Sequence, residues 1–184
     1  MTVTGTPTQM HGLEQPSGWV ARWVQAFAPQ GLLLDLACGR GRHSRFLAAR
    51  GFRVRAVDRD AQALATLDGI AGITVQQADL ETEPWPLDGL RFDGVVVTNY
   101  LHRPLFPDIL RTLAPGGVLI FETFAAGNER YGKPSNPDFL LNPGELLDVV
   151  RGHLHVVAYE DLQVTTPRPA CIQRICAASL SAVV

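Results

Sequence analysis

Residues 31–44 read Gly-Leu-Leu-Leu-Asp-Leu-Ala-Cys-Gly-Arg-Gly-Arg-His-Ser, an apolar run that ends in a glycine-rich turn. The run predicts a buried strand, and the turn predicts a helix start, where free N–H groups and a positive dipole end favour nucleotide-like ligands. Gly39 and Gly41 let the backbone approach such a ligand closely. Asp35 would repel a pyrophosphate and favours a cationic ligand. Nicotinamide-binding strands lead into Gly-x-Gly-x-x-Gly, whereas here Ser44 replaces the third glycine.

The composition is that of a globular domain with a balanced charge. The 184 residues are 46% hydrophobic, and 16 Lys and Arg face 18 Asp and Glu, which leaves a net charge of −2. This balance gives no general attraction to nucleic acid or to a membrane, and we expect neither as a partner. No apolar run reaches the length of a membrane span and no signal core is visible, so we expect a cytoplasmic protein. The spacing of Cys38, Cys171 and Cys176 fits no zinc site or disulfide framework, so we expect free thiols and no metal.

Strand and helix patterns alternate after this first strand. Strands are predicted at residues 32–37, 53–58, 73–77, 92–99 and 118–124, with helices at 42–50, 60–67 and 106–113. Two prolines within residues 78–91 predict a turn there instead of a crossover helix. Strands at 155–163 and 171–179 are joined by too short a link for a helix and should be antiparallel. We expect an α/β fold, with a mostly parallel sheet, helices on both faces and an antiparallel C-terminal hairpin.

Further helices flank this alternating segment. Ser17 can cap a helix that runs toward Phe27, and Asn142 can cap another, with Pro143 in its first turn and Glu145 completing a capping box. Residues 125–141 form a long loop, which is often functional in a small domain. Residues 1–14 predict a flexible arm, followed by a single domain at 15–184.

Polar residues return at regular intervals at the predicted strand ends. Asp35, Asp58, Asp79 and Asn99 are separated by 23, 21 and 20 residues, and in an open α/β sheet such ends form the ligand crevice. This ordered set resembles the class I S-adenosylmethionine-dependent methyltransferase family. Residues 35–41 are similar to its Asp-x-x-x-Gly-x-Gly motif, and residues 113–117 to its turn before the fifth strand. The resemblance covers about residues 31–180 and is strongest to small tellurite-resistance-type and small-molecule enzymes.

The resemblance implies a Rossmann-like, seven-stranded sheet that binds S-adenosylmethionine and releases S-adenosylhomocysteine. Asp35 would lie near the amino-acid end of the cofactor, Asp58 would accept hydrogen bonds from the ribose hydroxyls, and Asp79 would accept one from the adenine amino group. The implied cofactor contacts are Asp35, Ala37, Gly39, Gly41, Asp58, Asp79, Leu80 and Asn99. Structural roles stay open: Asp35 could cap backbone amides, Asp58 could cap a helix unless Asp60 does so, and Asp79 lies in an acidic loop.

The acceptor side is expected after the fourth strand. Asn99, Tyr100 and Leu101 do not form Asn-Pro-Pro-Tyr, which argues against methylation of nucleobases or glutamine. His102 is the first candidate for a general base and His43 the second. Acceptor contacts are expected from Tyr100, Arg103, Phe124, Tyr131 and Arg40, although a solvated role stays open for the charged residues.

These observations predict a methyltransferase that acts on a small-molecule acceptor by in-line transfer. The alternative of a non-catalytic S-adenosylmethionine-binding regulator or chaperone stays open, because the first motif indicates cofactor binding and not catalysis. A nicotinamide-dependent oxidoreductase fits less well, given Asp35 and the terminal hairpin. That hairpin also offers an edge through which two copies could pair as a homodimer.

Overall fold

Residues 15–179 of this computed structural model are described, and they are built on a seven-stranded sheet. The strands are β1 Leu32–Leu36, β2 Arg53–Asp58, β3 Ile73–Gln77, β4 Phe92–Thr98, β5 Leu113–Phe124, β6 Leu154–Val164 and β7 Ala170–Ser179. Their order is β3-β2-β1-β4-β5-β7-β6, and β7 runs antiparallel to both of its neighbours while the other pairs are parallel. The expected fold class is confirmed. The expected arm at residues 1–14 lies outside the described residues.

Within the described residues, five short α-helices accompany the sheet: α1 Gly18–Trp23, α2 Arg42–Ala48, α3 Ala61–Ala65, α4 Phe106–Arg111 and α5 Glu145–Val150. Single 3₁₀ turns lie at Val24–Ala26, Arg103–Leu105, Asn128–Arg130 and Pro137–Phe139. Ser17 caps α1 as predicted, because its hydroxyl accepts hydrogen bonds from the amides of Trp19 and Val20. None of the helices within residues 15–179 is long and apolar enough to cross a bilayer.

The helices cover both faces of the central strands. Trp19 of α1 and Leu47 of α2 pack on one face, while Ile109 of α4 and Leu146 of α5 pack on the other. The indole nitrogen of Trp19 also donates to the Ile175 carbonyl of β7 at 3.1 Å. Because β1 and β4 are enclosed in this way, their side chains are buried almost without interruption. A ligand can therefore approach these two strands only at their C-terminal ends, where the polar residues lie.

The helices predicted at residues 42–50 and 60–67 are each shorter by two or three residues, and two other predicted boundaries differ for identifiable reasons. The helix expected at residues 106–113 ends at Arg111, because Leu113 already pairs with Phe92 as part of β5, ahead of a bulge at residues 114–117. The helix expected from Asn142 begins at Glu145. Glu145 Oε2 does accept hydrogen bonds from the amide and the side chain of Asn142, at 2.8 and 3.0 Å. These contacts close a turn ahead of α5 and do not cap it.

Candidate active site

The turn after β1 is the structural centre of the site. Ala37 and Asn99 both adopt left-handed backbone, each with φ of 54°, directly after the neighbouring strands β1 and β4. Non-glycine residues rarely adopt this conformation, which costs about 1 kcal/mol or more and clusters at functional sites. The two strained positions mark where the crevice opens. Composition and periodicity carry no signal for them.

The two glycines of this turn have different tasks. Gly39 has φ of 55°, and a Cβ built there would meet no atom within 4 Å, so its α-carbon faces open space. Gly41 has φ of 72°, and its Cβ would lie 2.5 Å from the side-chain carbons of Leu67. Close approach to a ligand therefore fits Gly39, whereas Gly41 is required by packing against the buried Leu67. The packing role does not exclude a contact between the Gly41 backbone and a ligand, and that expected contact stays a prediction.

Asp58 joins the end of β2 to the glycine turn. Its Oδ2 accepts a hydrogen bond from the Gly39 amide at 2.7 Å, and its Oδ1 accepts one from the Asp60 amide at 2.9 Å. A carboxylate offers about four acceptor positions, so two remain for a ligand. The helix-capping role falls to Asp60, which accepts from the amides of Gln62 and Ala63. Asp58 is thus held in place with spare acceptor capacity at the mouth of the crevice.

A first cavity of about 170 Å³ opens beside Asp58. It is lined by Ala37, Asp58, Arg59, Ala78, Asp79, Leu80, Glu81 and Tyr100. The Asp79 carboxylate accepts a hydrogen bond from the Glu81 amide at 3.0 Å, and this bond lowers the pKa of Asp79. The structure therefore brings together four of the expected cofactor residues: Ala37, Asp58, Asp79 and Leu80.

Tyr100 lines this cavity, and its hydroxyl oxygen is itself buried. Its hydroxyl makes no hydrogen bond within the described part of the chain. Burial first, and then the carboxylates of Glu81 and Asp79, raise the pKa of Tyr100 far above its usual range, so the phenol stays protonated. An unsatisfied buried hydroxyl is costly unless a ligand or water completes it. Tyr100 lines the same cavity as Asp79, and with Asn99 and Phe124 it also lines a further cavity of about 200 Å³, so its expected contact with an acceptor stays a prediction.

Asp35 lies beneath the turn and lines neither of the cavities described here. It is 1% exposed, and its Oδ2 accepts a hydrogen bond from the Ser44 hydroxyl at 2.6 Å. Burial raises the pKa of Asp35 to about 6, although the contacts with Ser44 and the charge of Arg42 oppose that rise. The carboxylate is therefore a buried negative charge behind the backbone of residues 37–41. Asp35 would therefore act on a ligand at this turn either electrostatically, across the backbone of the turn, or through a bridging water.

His43 is not at the mouth of the site, contrary to expectation. It is 2% exposed; the Ser17 amide donates to its Nε2 at 3.0 Å, and its Nδ1 lies 3.3 Å from the Thr98 hydroxyl. Burial, followed by the positive charge of Arg42, lowers the pKa of His43 to about 3. Both ring nitrogens are engaged and the ring is neutral. His43 thus fixes the start of α1 to the sheet and is not available as a base.

Arg103 is likewise committed elsewhere. Its Nε and Nη2 donate to the Glu145 carboxylate at 2.7 and 2.9 Å, and its other donors reach the carbonyls of Asp138 and Leu140 at 2.7 and 2.8 Å. The hydrogen bond with Glu145 raises the pKa of Arg103. The expected contact with an acceptor is corrected, because this guanidinium holds the long loop against α5.

Three other predicted residues line neither of these cavities. Arg40 is exposed, Tyr131 is 39% exposed beside Arg130, and His102 is half-buried just before a 3₁₀ turn. For Arg40 and Tyr131 a solvated role fits this placement. The His102 carbonyl accepts a hydrogen bond from the Leu105 amide at 3.0 Å.

A second cavity, of about 440 Å³, lies on the other side of Asn99. Its walls come from residues 15–18 at the start of α1, from Arg42, from the ends of β4 and β5, and from the β6–β7 connection. Phe124 lines it as expected. Reasoning from sequence missed Arg42, Glu122, Arg168 and Arg174. No local motif marks them, since they meet only when α1, β5 and the terminal hairpin pack together.

Comparison with known proteins identifies relatives of this fold. Residues 33–117 match a family described as "Methyltransferase domain". The chain is 31% identical over 150 residues to malonyl-(acyl-carrier protein) O-methyltransferase of Serratia marcescens, covering 76% of this chain and 51% of that protein. It is 31% identical over 119 residues to trans-aconitate 2-methyltransferase of an Azoarcus species, covering 61% and 45%.

Solved structures show the same architecture. TehB from Haemophilus influenzae superposes with a TM-score of 0.75 at 18% identity, over 89% of this chain and 62% of that one. At this identity the match shows the fold alone. The chain spans about half the length of the curated relatives it matches.

Proposed function

We propose that this chain is a class I S-adenosylmethionine-dependent methyltransferase and that it transfers the methyl group of that cofactor to a small-molecule acceptor; its similarity to methyltransferases supports this proposal. The observation that carries the proposal is the Asp58 carboxylate held 2.7 Å from the Gly39 amide, at the edge of a cavity formed by the ends of β1, β2 and β3. Its relatives include proteins named for methylation of malonyl-(acyl-carrier protein) and of trans-aconitate.

The described residues fit the nucleoside part of the cofactor. Asp58 would accept from the ribose hydroxyls with its two free acceptor positions. Asp79, whose carboxylate is kept ionised, would face the adenine ring, and Tyr100 lines the same cavity. The open space over Gly39 would let the cofactor lie directly on the turn.

The cofactor supplies an activated methyl group, and the task left to the protein is mainly alignment. Asn99, strained at the end of β4, borders the second cavity and lies next to Tyr100 of the first. The methyl group would therefore point from one cavity to the other past Asn99. We assign no general base, because both nitrogens of His43 are engaged and His102 lines neither of the cavities described.

Calorimetric titration of S-adenosylmethionine and S-adenosylhomocysteine tests the cofactor site. We expect Asp58→Ala to weaken binding at least 100-fold, or about 2.7 kcal/mol, because the carboxylate provides charged hydrogen bonds. The matched control is Asp60→Ala, which removes a carboxylate two residues away that only caps α3. It should leave affinity unchanged and lower the free energy of unfolding by about 1 kcal/mol.

Transfer is tested separately with methyl-labelled cofactor and the small-molecule fraction of a bacterial extract. Label that moves into this fraction with the wild type and not with Asp58→Ala supports the enzyme. Tight cofactor binding without transfer to any fraction would identify a binding protein instead. Absence of cofactor binding, or equal binding by Asp58→Ala, would overturn the proposal.

A further inference from the structure

The second cavity extends well beyond the space that the glycine turn borders. Asn99 and Arg42 stand at its inner end, beside the turn, whereas Phe124 and the β6–β7 connection form its far wall. Its volume of about 440 Å³ is more than twice that of the first cavity. A cofactor lying along β1, β2 and β3 would leave the far wall uncovered. That wall is therefore where an acceptor would be bound.

The charges around this cavity do not balance. Three arginines line it, and the carboxylate of Glu122 is the one acidic side chain among its described lining residues. Arg174 is already neutralised, since it contacts Glu122 at 3.3 Å and Glu160 at 2.7 Å. Within residues 15–179, Arg42 donates a hydrogen bond only to the Gln15 carbonyl, at 3.5 Å, and it interacts with the charges of Glu122 and Asp35. The excess of positive charge in the lining is therefore carried by the third arginine.

Arg168 is the cation that no carboxylate compensates. Within residues 15–179 its guanidinium makes no ion pair and no hydrogen bond. It lies over the ring of Phe124, with 5.8 Å from the guanidinium carbon to the ring centre. Stacking on an aromatic face orients an arginine while leaving its donors free for an anion. Arg168 is therefore placed against the cavity wall with its donors unused.

The rest of the far wall is largely apolar. Phe124, Val164, Pro167 and Ile172 line it. An apolar surface with a few convergent polar groups is typical of small-molecule sites. The combination favours a ligand with one acidic group and an apolar body.

We propose that the second cavity is the acceptor site and binds a small organic anion, with Arg168 contacting its acidic group and Phe124 and Ile172 contacting its apolar body. The assignment of this cavity as an acceptor site rests on the proposed function, whereas its preference for anions can be measured without turnover. A carboxylate and a phosphate share the chemistry that a guanidinium recognises.

The test titrates three probes of similar shape into the complex with S-adenosylhomocysteine, followed by NMR. Phenylacetate and phenyl phosphate carry the two acidic groups, and phenylacetamide is the neutral counterpart. We expect one or both anions to bind at least tenfold more tightly than the amide. We also expect Arg168→Gln to remove this preference while its affinity for S-adenosylhomocysteine stays that of the wild type. Which anion binds more tightly distinguishes carboxylate from phosphate.

Arg91→Gln is the matched control, because Arg91 is exposed, donates only to the Leu90 carbonyl and lines neither cavity. It should retain the preference for anions. Equal binding of the three probes, no binding of either anion, or an unchanged preference in Arg168→Gln would overturn the anion site. If S-adenosylhomocysteine itself does not bind, the proposed function is wrong, and the same comparison on the free protein still decides the anion site.

Discussion

The two cavities are built in different ways. The first one rests on backbone: left-handed residues after β1, an amide of the turn bonded to Asp58, and a glycine packed against Leu67. The second one rests on long side chains that meet from distant parts of the chain, as in the contacts of Arg174 with Glu122 and Glu160.

The difference has a physical consequence for each cavity. A site made of backbone and short carboxylates is rigid and tolerates few substitutions, because each position is fixed by sterics or by a buried hydrogen bond. A site made of arginines and aromatic rings can change its charge and shape without disturbing the sheet. We therefore expect mutations beneath the first cavity to affect stability strongly, and mutations around the second cavity to affect mainly ligand preference.

The largest effect is expected for Gly41→Ala. The new methyl group would lie 2.5 Å from the side chain of Leu67, which is 1% exposed, and the residue would keep a φ of 72°. Overpacking and left-handed backbone together should lower the free energy of unfolding by about 3 kcal/mol, as measured by urea denaturation.

Gly39→Ala is the control for this substitution. Its φ of 55° is similar, but the added methyl group meets no atom within 4 Å. It should lower the free energy of unfolding by only about 1 kcal/mol and weaken S-adenosylmethionine binding. Equal loss of stability in both variants would contradict the distinction between the two glycines.

Asp35→Asn should stabilise the protein at neutral pH while removing the charge beneath the turn. Burial raises the pKa of Asp35 from 3.8 to about 6, so the folded state binds more protons than the unfolded state between these values. The contribution of Asp35 to stability is therefore present below pH 4 and lost as the pH rises through 6. Removing this penalty should add about 2 kcal/mol to the free energy of unfolding at pH 8.

His43 contributes with the opposite sign. Its pKa is lowered from 6.5 to about 3, so its contribution to stability is present above pH 6.5 and lost as the pH falls toward 3. In the wild type, Asp35 and His43 therefore make opposite contributions to the pH dependence of the free energy of unfolding between pH 4 and 6. Urea denaturation across this range should show a steeper acid loss for Asp35→Asn than for the wild type. Parallel curves for the two proteins would contradict the assignment of the buried charge to Asp35.

Arg103→Gln should have a smaller effect than Gly41→Ala and Asp35→Asn, and it should act on the long loop at residues 125–141. Removing its contacts with Glu145 and with two loop carbonyls should cost about 1.5 kcal/mol. Hydrogen exchange should accelerate at residues 125–141, while S-adenosylmethionine affinity stays constant. Arg111→Gln, which removes more exposed ion pairs with Asp88 and Asp108, should change stability by less than about 0.5 kcal/mol. A large loss of cofactor affinity in Arg103→Gln would show that this residue belongs to the site.

The fold was largely predictable because its signals are local. Apolar runs, caps such as Ser17 and Asp60, and the short proline-containing link between β6 and β7 each act over a few residues. The errors arose where pairing across the sheet competes with local pattern. Leu113 has helical spacing with α4, yet it pairs with Phe92 because an edge of β4 is available to it.

The predictions for the candidate site show the same difference between local pattern and contacts across the fold. Asp58 and Asp79 were predicted from their positions after successive strands, and Ala37 and Leu80 from the resemblance to the methyltransferase family. All four line one cavity. His43 and Arg103 were predicted from their residue type and their expected position near the mouth of the site, and burial or a specific partner gives each of them a structural task. Arg168 was missed because its neighbour Phe124 lies far away in the sequence.

By itself the sequence determined the polar residues at successive strand ends, the glycine turn and the antiparallel pairing of the last two strands. These features follow from side-chain period, backbone sterics and link length. Tertiary structure alone decided which glycine faces open space and which histidine nitrogens are occupied. It also decided which arginines remain unpaired. These properties depend on distances between segments that are remote in the chain, and only packing brings such segments together.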